Sequence, residues 1–214
     1  MMAVEKANAA VIVAHPDDET LWAGGAILMH PTWCWSIATL CRGRDPDRAP
    51  KFAKVMYELR ADGAMADLDD GPDQTPLEPN LVRETILSLL GATDYDLMIT
   101  HSPFGEYTRH RRHEETGRAV LALWETGRLS VRQLWMFAYD DGGNRHLPRP
   151  VPTAHKVLSL PDDVWRRKQS IVIDLYGFPS TSFEARTVSR EEAFWVFESP
   201  PAARAWVDAR RTRT

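Results

Sequence analysis

Cysteine is nearly absent: the 214 residues hold two, Cys34 and Cys41. If 35–41 is a strand, they stand roughly 23 Å apart, seven residues at about 3.3 Å each, far beyond disulfide reach. They read as small buried residues in a reducing compartment. Long apolar runs are missing too. The first, A-A-V-I-V at 9–13, is too short for a membrane span or a signal peptide, and no charged n-region with a long apolar stretch opens the chain. The expectation is a cytoplasmic protein without a membrane span. Basic charge is in deficit: 26 Lys and Arg face 30 Asp and Glu, a net −4 with no basic stripe. Nucleic acid is therefore a poor default partner. No G-x-G-x-x-G occurs, and Gly24-Gly25 falls inside a helical segment, where it suits close packing rather than a dinucleotide. With no internal repeat or low-complexity linker, residues 1–214 are expected to form a single domain.

What is present alternates. Apolar runs at 9–14, 35–41, 95–100, 134–138 and 156–160 read as strands. Helical patterns occupy 19–29, 50–62, 80–91, 112–126, 161–176 and 201–211. Asp17 or Asp18 is the expected N-cap of the first helix, and Asn80 and Gly91 are the expected caps of the third. This order predicts an α/β fold: a Rossmann-like three-layer α/β/α arrangement with a mostly parallel sheet. Such sheets bind ligands outside the carboxyl ends of their strands. Three strands there release polar groups: His15, Asp17 and Asp18; then Arg42, Arg44 and Asp45; then His101 with S-P-F-G-E-Y-T-R-H. The acidic stretch A-D-L-D-D-G-P-D (66–73) lacks calcium-loop spacing and reads as a solvated turn. The 8 tryptophans suit a core, a cleft or an interface, so they leave the oligomeric state open.

Within A-H-P-D-D-E (14–19), His15 and Asp18 are three apart on a strand-to-helix turn. His110 and His113 repeat the interval in H-R-R-H, where a helix should begin, and residues three apart share a helix face. Imidazole and carboxylate suit zinc, whose catalytic sites use three protein ligands and leave a position for water. His15, Asp18 and His113 would make that set. Asp17 would serve as general base, and His110, protonated, as the donor to a developing oxyanion. Together these point to a metal hydrolase. Ferrous iron suits the same donors. Pro16 fixes the turn, and Glu19 favours the helix start.

At these residues the sequence resembles the PIG-L/LmbE-like deacetylases, which remove acetyl groups from N-acetylglucosamine-containing molecules. A-H-P-D-D-E stands in full at 14–19, followed by T-H-S-P at 100–103 and H-R-R-H where the family has H-x-D-H. The resemblance covers residues 9–120 clearly, and L-P-D-D-V-W-R-R-K (160–168) echoes a later passage. It implies a Rossmann-like zinc enzyme with ligands His15, Asp18 and His113, base Asp17, and His110 as stabiliser of the tetrahedral intermediate. It also implies a sugar-holding arginine, for which Arg48 is the closest match and Arg42 and Arg44 are alternatives. The implied substrate is a small amino-sugar molecule. Two departures stand out. Arg112 replaces the usual acid, which puts the support of a neighbouring ligand in question and suggests positive charge at the mouth, favouring an anionic substrate. The late helix keeps Lys168 but lacks the family's histidine. A noncatalytic sugar- or metal-binding module, or an amidase for a different glucosamine conjugate, are the alternatives.

Overall fold

A computed structural model describes residues 6–107 and 109–212. The chain runs β1 (Asn8–Val13), α1 (Asp18–Met29), β2 (Cys34–Cys41), α2 (Arg48–Leu59), β3 (Asp62–Leu68), α3 (Pro79–Leu89), β4 (Asp94–Thr100), α4 (Arg111–Glu125) and β5 (Ser130–Phe137). A short ribbon of β6 (Tyr139–Asp140) and β7 (Arg149–Pro150) follows, then β8 (Lys156–Ser159), α5 (Asp162–Ser170) with a π-helical turn at Ile171–Leu175, α6 (Phe183–Thr187), β9 (Glu191–Phe197) and α7 (Pro200–Arg211).

The main sheet has the order β3-β2-β1-β4-β5-β9-β8. The strands from β3 to β5 pair in parallel, and β9 is antiparallel to both β5 and β8. β1 is central, and its run N-A-A-V-I-V is apolar on both faces for that reason. Ala9, Val11 and Val13 pack with Leu21, Trp22, Phe52, Val55 and Ile171 on one side. Ala10 and Ile12 pack with Val82, Ile86, Val120 and Val207 on the other. The expected three layers follow from that alternation. Among the described residues no helix is long and apolar enough to cross a membrane.

Local details depart from expectation where tertiary contacts decide. Cys34 is exposed and only Cys41 is buried. Helix α2 begins at Arg48 and stops at Leu59, because Arg60 turns left-handed (φ 56°). Helix α3 is capped by Glu78, which accepts from Leu81 N, not by Asn80, whose amide oxygen is taken by Arg83. It ends before Gly91, with Leu90 already extended. The 161–176 helix is broken into α5 and the π-helical turn. Gly24-Gly25 has the expected packing role: a Cβ on Gly25 would sit 2.3 Å from Leu160 Cδ2 and 3.0 Å from Glu192 Oε1.

Strands β3 and β9 have no counterpart in the sequence reading. The span taken as a solvated turn is in part β3, and beyond the strand it brings Asp70 to His15. β1 and β4 lie side by side, yet α1 covers one face and α4 the other. That divergence is the topological switch point, where a crevice opens at the strand ends.

Candidate metal centre

The loop after β1 delivers His15, Asp17 and Asp18 into this crevice, and the start of α4 delivers His110 and His113. Three acceptor atoms meet there. His15 Nδ1 is 3.1 Å from Asp18 Oδ2, His113 Nε2 is 3.3 Å from the same oxygen, and the two ring nitrogens are 3.3 Å apart. Bonds of about 2.0–2.1 Å in a tetrahedral zinc site put neighbouring ligand atoms about 3.3 Å apart, so the triangle has the right edge.

Each of the three is held from its outer side. His113 donates from Nδ1 to Glu106 Oε2 at 2.7 Å, which leaves Nε2 with a lone pair. His15 donates from Nε2 to Asp70 Oδ1 at 3.2 Å, which leaves Nδ1 free to coordinate. Asp18 Oδ1 accepts from Trp22 Nε1 at 2.9 Å, and Oδ2 from the His15 amide at 2.9 Å. Outer partners of this kind fix tautomer and orientation in metal sites. With three lone pairs facing one another, the cluster requires a cation, either a proton or a metal. The donor set, two imidazoles and a carboxylate, fits zinc or ferrous iron.

The charges agree. Burial would raise Asp18, but His113 and His101 outweigh it and hold the carboxyl well below its usual range. Burial would raise Glu106, but His101 and His113 bring it down to about 2. Burial would lower His15 and His113, but their acidic neighbours, Asp18 foremost, raise both. A cation is thus favoured at the triangle.

Three further groupings lie close by: His15, His110 and His113; Asp18, His101 and His113; and His15, Cys41 and Asp70. His101 Nε2 lies 3.0 Å from the Ala14 amide and 3.4 Å from Asp18 Oδ2, so a metal at that nitrogen would displace the Ala14 hydrogen bond. Its Nδ1 donates to Glu106 at 2.9 Å, so His101 shares the carboxylate with His113. The His110 ring stacks on His113, centroids 4.5 Å apart, and lines the cavity. Burial, then His113 and His15, push its pKa down to about 3. His110 is therefore a neutral ring near pH 7, not the expected imidazolium, and its buried Nδ1 has no hydrogen-bond partner.

Asp17 occupies the N-cap position of α1 but makes no capping bond, and its φ is 126°. A non-glycine residue there stores about 1–3 kcal/mol of strain, which its surroundings must offset. Glu19 does so. It is fully buried, accepts the Asp17 amide at 3.0 Å, and is fixed by Thr20 Oγ1 (2.6 Å) and Tyr176 Oη (2.7 Å). Glu19 thus does more than favour the helix start. The Asp17 carboxyl is pushed well above the ordinary range by burial and by Asp18, with His15 and Arg48 opposing.

Arg48 Nη1 lies 3.2 Å from Asp17 Oδ2, and its guanidinium stacks 4.4 Å above Phe178. Arg42 binds Asp70 instead (2.7 Å), and Arg44 is 88% exposed, outside the cavity lining. The cavity is about 230 Å³; Leu21, Trp22, Tyr107 and Phe183 form its apolar part, and Glu184 joins the polar rim. Lys168 is no part of it: fully buried, it pairs with Glu192 at 2.6 Å.

Arg112 overturns the expected charge at the mouth. Its side chain is 2% exposed and is spent on Asp69, Thr75 and Glu115. Asp70, assigned by sequence to a solvated turn, is a partner of His15. Glu106 escaped notice as a single acid in a loop. The signal available was its position in the segment leaving β4, seven residues before a suspected ligand.

No family model matches the chain. An uncharacterized protein, L374 of Acanthamoeba polyphaga mimivirus, is 24% identical over 149 residues, which are 63% of this chain and 63% of that protein. The chain thus spans less than two thirds of that relative's length. Among solved structures, an N,N'-diacetylchitobiose deacetylase from Pyrococcus horikoshii matches with a TM-score of 0.66 at 14% identity, covering 90% of this chain and 84% of that one. A deacetylase triple mutant of the teicoplanin biosynthetic pathway matches at 0.60 and 17%, covering 90% and 98%. A 4-carboxy-2-hydroxymuconate hydratase from Pseudomonas putida matches at 0.60 and 15%, covering 86% and 83%. At these identities the likeness is one of fold: the chain has the α/β architecture found in two deacetylases and a hydratase.

Proposed function

We propose that this chain is a metal-dependent amidase of the PIG-L/LmbE type, hydrolysing the N-acetyl group of an N-acetylglucosamine-type amino sugar or glycoconjugate. The observation that carries the proposal is the triangle of His15 Nδ1, Asp18 Oδ2 and His113 Nε2, each held from outside with its lone pair inward. The deacetylases among the structural neighbours support it. A bound zinc or ferrous ion supplies Lewis-acid chemistry there, polarising an amide carbonyl and acidifying water.

The protein's own groups complete the reaction. Asp17 takes the water proton and returns it to the leaving amine; a carboxyl raised toward neutrality is suited to both transfers. Arg48 holds Asp17 in place from α2 and is available to a sugar hydroxyl. His110, as a neutral ring, donates a hydrogen bond to the carbonyl oxygen as charge develops. Products are the free amine and acetate. Arg112, the feature that invites a noncatalytic module, leaves every cavity group in place. The free thiols of Cys34 and Cys41 support a reducing, cytoplasmic setting.

Zinc titration combined with an amine-release assay over N-acetylglucosamine conjugates tests this. Wild type should take up about one zinc ion and release amine. Asp17→Ala should keep the metal and lose turnover, and His15→Ala should lose the metal. Unchanged zinc uptake in His15→Ala would refute the ligand set. Equal inertness of wild type and Asp17→Ala, with sugar binding retained, would establish a binding module.

A further inference from the structure

We propose that Arg112 is a positioning residue for the ligand His15, acting at a distance through the loop that carries Asp70. This rests on the metal-site assignment above. Arg112 and Glu115 stand one turn apart on α4 and together fasten the 69–77 loop. Arg112 Nε donates to the Asp69 carbonyl at 2.5 Å, Nη2 to the Thr75 carbonyl at 2.9 Å and to Asp69 Oδ2 at 3.3 Å, and Nη1 to Glu115 Oε2 at 2.6 Å. Glu115 Oε1 in turn accepts the Leu77 amide at 3.0 Å. The loop is thus tied at Asp69, Thr75 and Leu77. Asp70 lies inside those ties, with Gln74 Nε2 and Arg42 also on its carboxylate.

The consequence falls on His15. Asp70 Oδ1 is the acceptor that keeps the His15 proton on Nε2 and its Nδ1 lone pair toward Asp18 and His113. A mobile Asp70 would release that tautomer. Helix α4 therefore supplies one ligand directly, His113, and steadies a second through the residue beside it. Arginine suits the task because one planar guanidinium reaches acceptors in three directions; a lysine ammonium is a single point on a flexible stem. The acid expected at this position is replaced by an arginine that recruits an acid from elsewhere in the chain.

A double-mutant cycle tests the route. Zinc affinity is measured by chelator competition for wild type, Arg112→Met, Asp70→Asn and the double variant, with thermal melting as a folding control. The His15 ring nitrogens are followed by 15N NMR in metal-free protein at alkaline pH, where the ring is neutral and its single proton can be placed. Loss of an outer partner typically weakens metal binding about 10–100-fold. We expect each single variant in that range, the double no weaker than Asp70→Asn alone, and a shift of the His15 proton away from Nε2 in both singles. Arg112→Lys should fall between wild type and Arg112→Met, and it carries the comparison if Arg112→Met does not fold. Additive losses in the cycle, or a lower melting temperature with zinc affinity and His15 signals unchanged, would overturn the proposal. If wild type binds no zinc, the metal assignment fails, and the His15 nitrogen signals alone decide whether Arg112 acts on that ring.

Discussion

Replacing Glu106 by glutamine perturbs the site without changing any of the three proposed ligands. Glu106 Oε2 accepts from both His101 Nδ1 (2.9 Å) and His113 Nδ1 (2.7 Å), and Oε1 accepts the Ser102 amide at 2.9 Å. All three partners are donors, and the carboxylate is fully buried among them. A glutamine has one acceptor oxygen and one NH₂ group. If the oxygen faces the histidines, the NH₂ meets the Ser102 N–H. If it faces Ser102, the NH₂ meets two ring N–H groups and drives the His113 proton toward Nε2, the proposed coordinating atom. In either orientation a buried donor loses its acceptor, at about 1–3 kcal/mol. The range known for lost outer partners, about 10–100-fold in metal affinity, converts to about 1.4–2.7 kcal/mol at 1.36 kcal/mol per decade. The two routes agree. Glu106→Gln should weaken zinc binding about 10–100-fold, measured by chelator competition at fixed pH, while urea unfolding of metal-free protein reports the structural part separately. Zinc affinity within twofold of wild type, with the His113 proton still on Nδ1, would refute the claim that this carboxylate sets the ligand.

Two more tests follow. His15 and His113 are both raised above the ordinary 6.5, so their stabilising protonation is complete below that value and is lost as pH rises through the raised values. Metal-free protein should therefore weaken above pH 6.5 while zinc affinity rises over the same interval, and melting temperatures of the two forms should diverge; parallel curves would sink this account. Lys168→Met leaves the buried Glu192 carboxylate with the Gly25 and Ala26 amides but no cation, and should cost about 3–5 kcal/mol in urea unfolding, whereas Lys168→Met with Glu192→Leu should recover most of it. A double variant as unstable as the single would show that the ion pair is not the cause.

The layers and the rim were legible because they rest on local pattern. Alternating apolar runs and helical periods predict the parallel core, and the carboxyl-end rule points to the right loops. His15 with Asp18, and His110 with His113, are short-range pairs, so spacing alone proposes them. β3 was hidden for a physical reason: D-G-A-M-A-D-L is half-exposed at the edge of the sheet, with Gly, Ala and Asp where strands favour branched side chains. β9 was hidden differently. A-F-W-V-F at 193–197 has strand character, but an antiparallel return is not called for by strand–helix alternation.

What supports the candidate ligands was not legible, and the reason is separation along the chain. Asp70 reaches His15 across 55 positions, and Arg112 reaches Asp69 across 43. A carboxylate can fix an imidazole tautomer from any loop that passes within about 3 Å, so no spacing rule marks it. Arg112 stands where an acid was expected, and a carboxylate nevertheless reaches His15 from the loop after β3, that of Asp70. A substitution inside a motif therefore does not by itself remove a function. It moves the question to which other segment now supplies the missing group, and here that segment is the loop that composition alone had assigned to solvent.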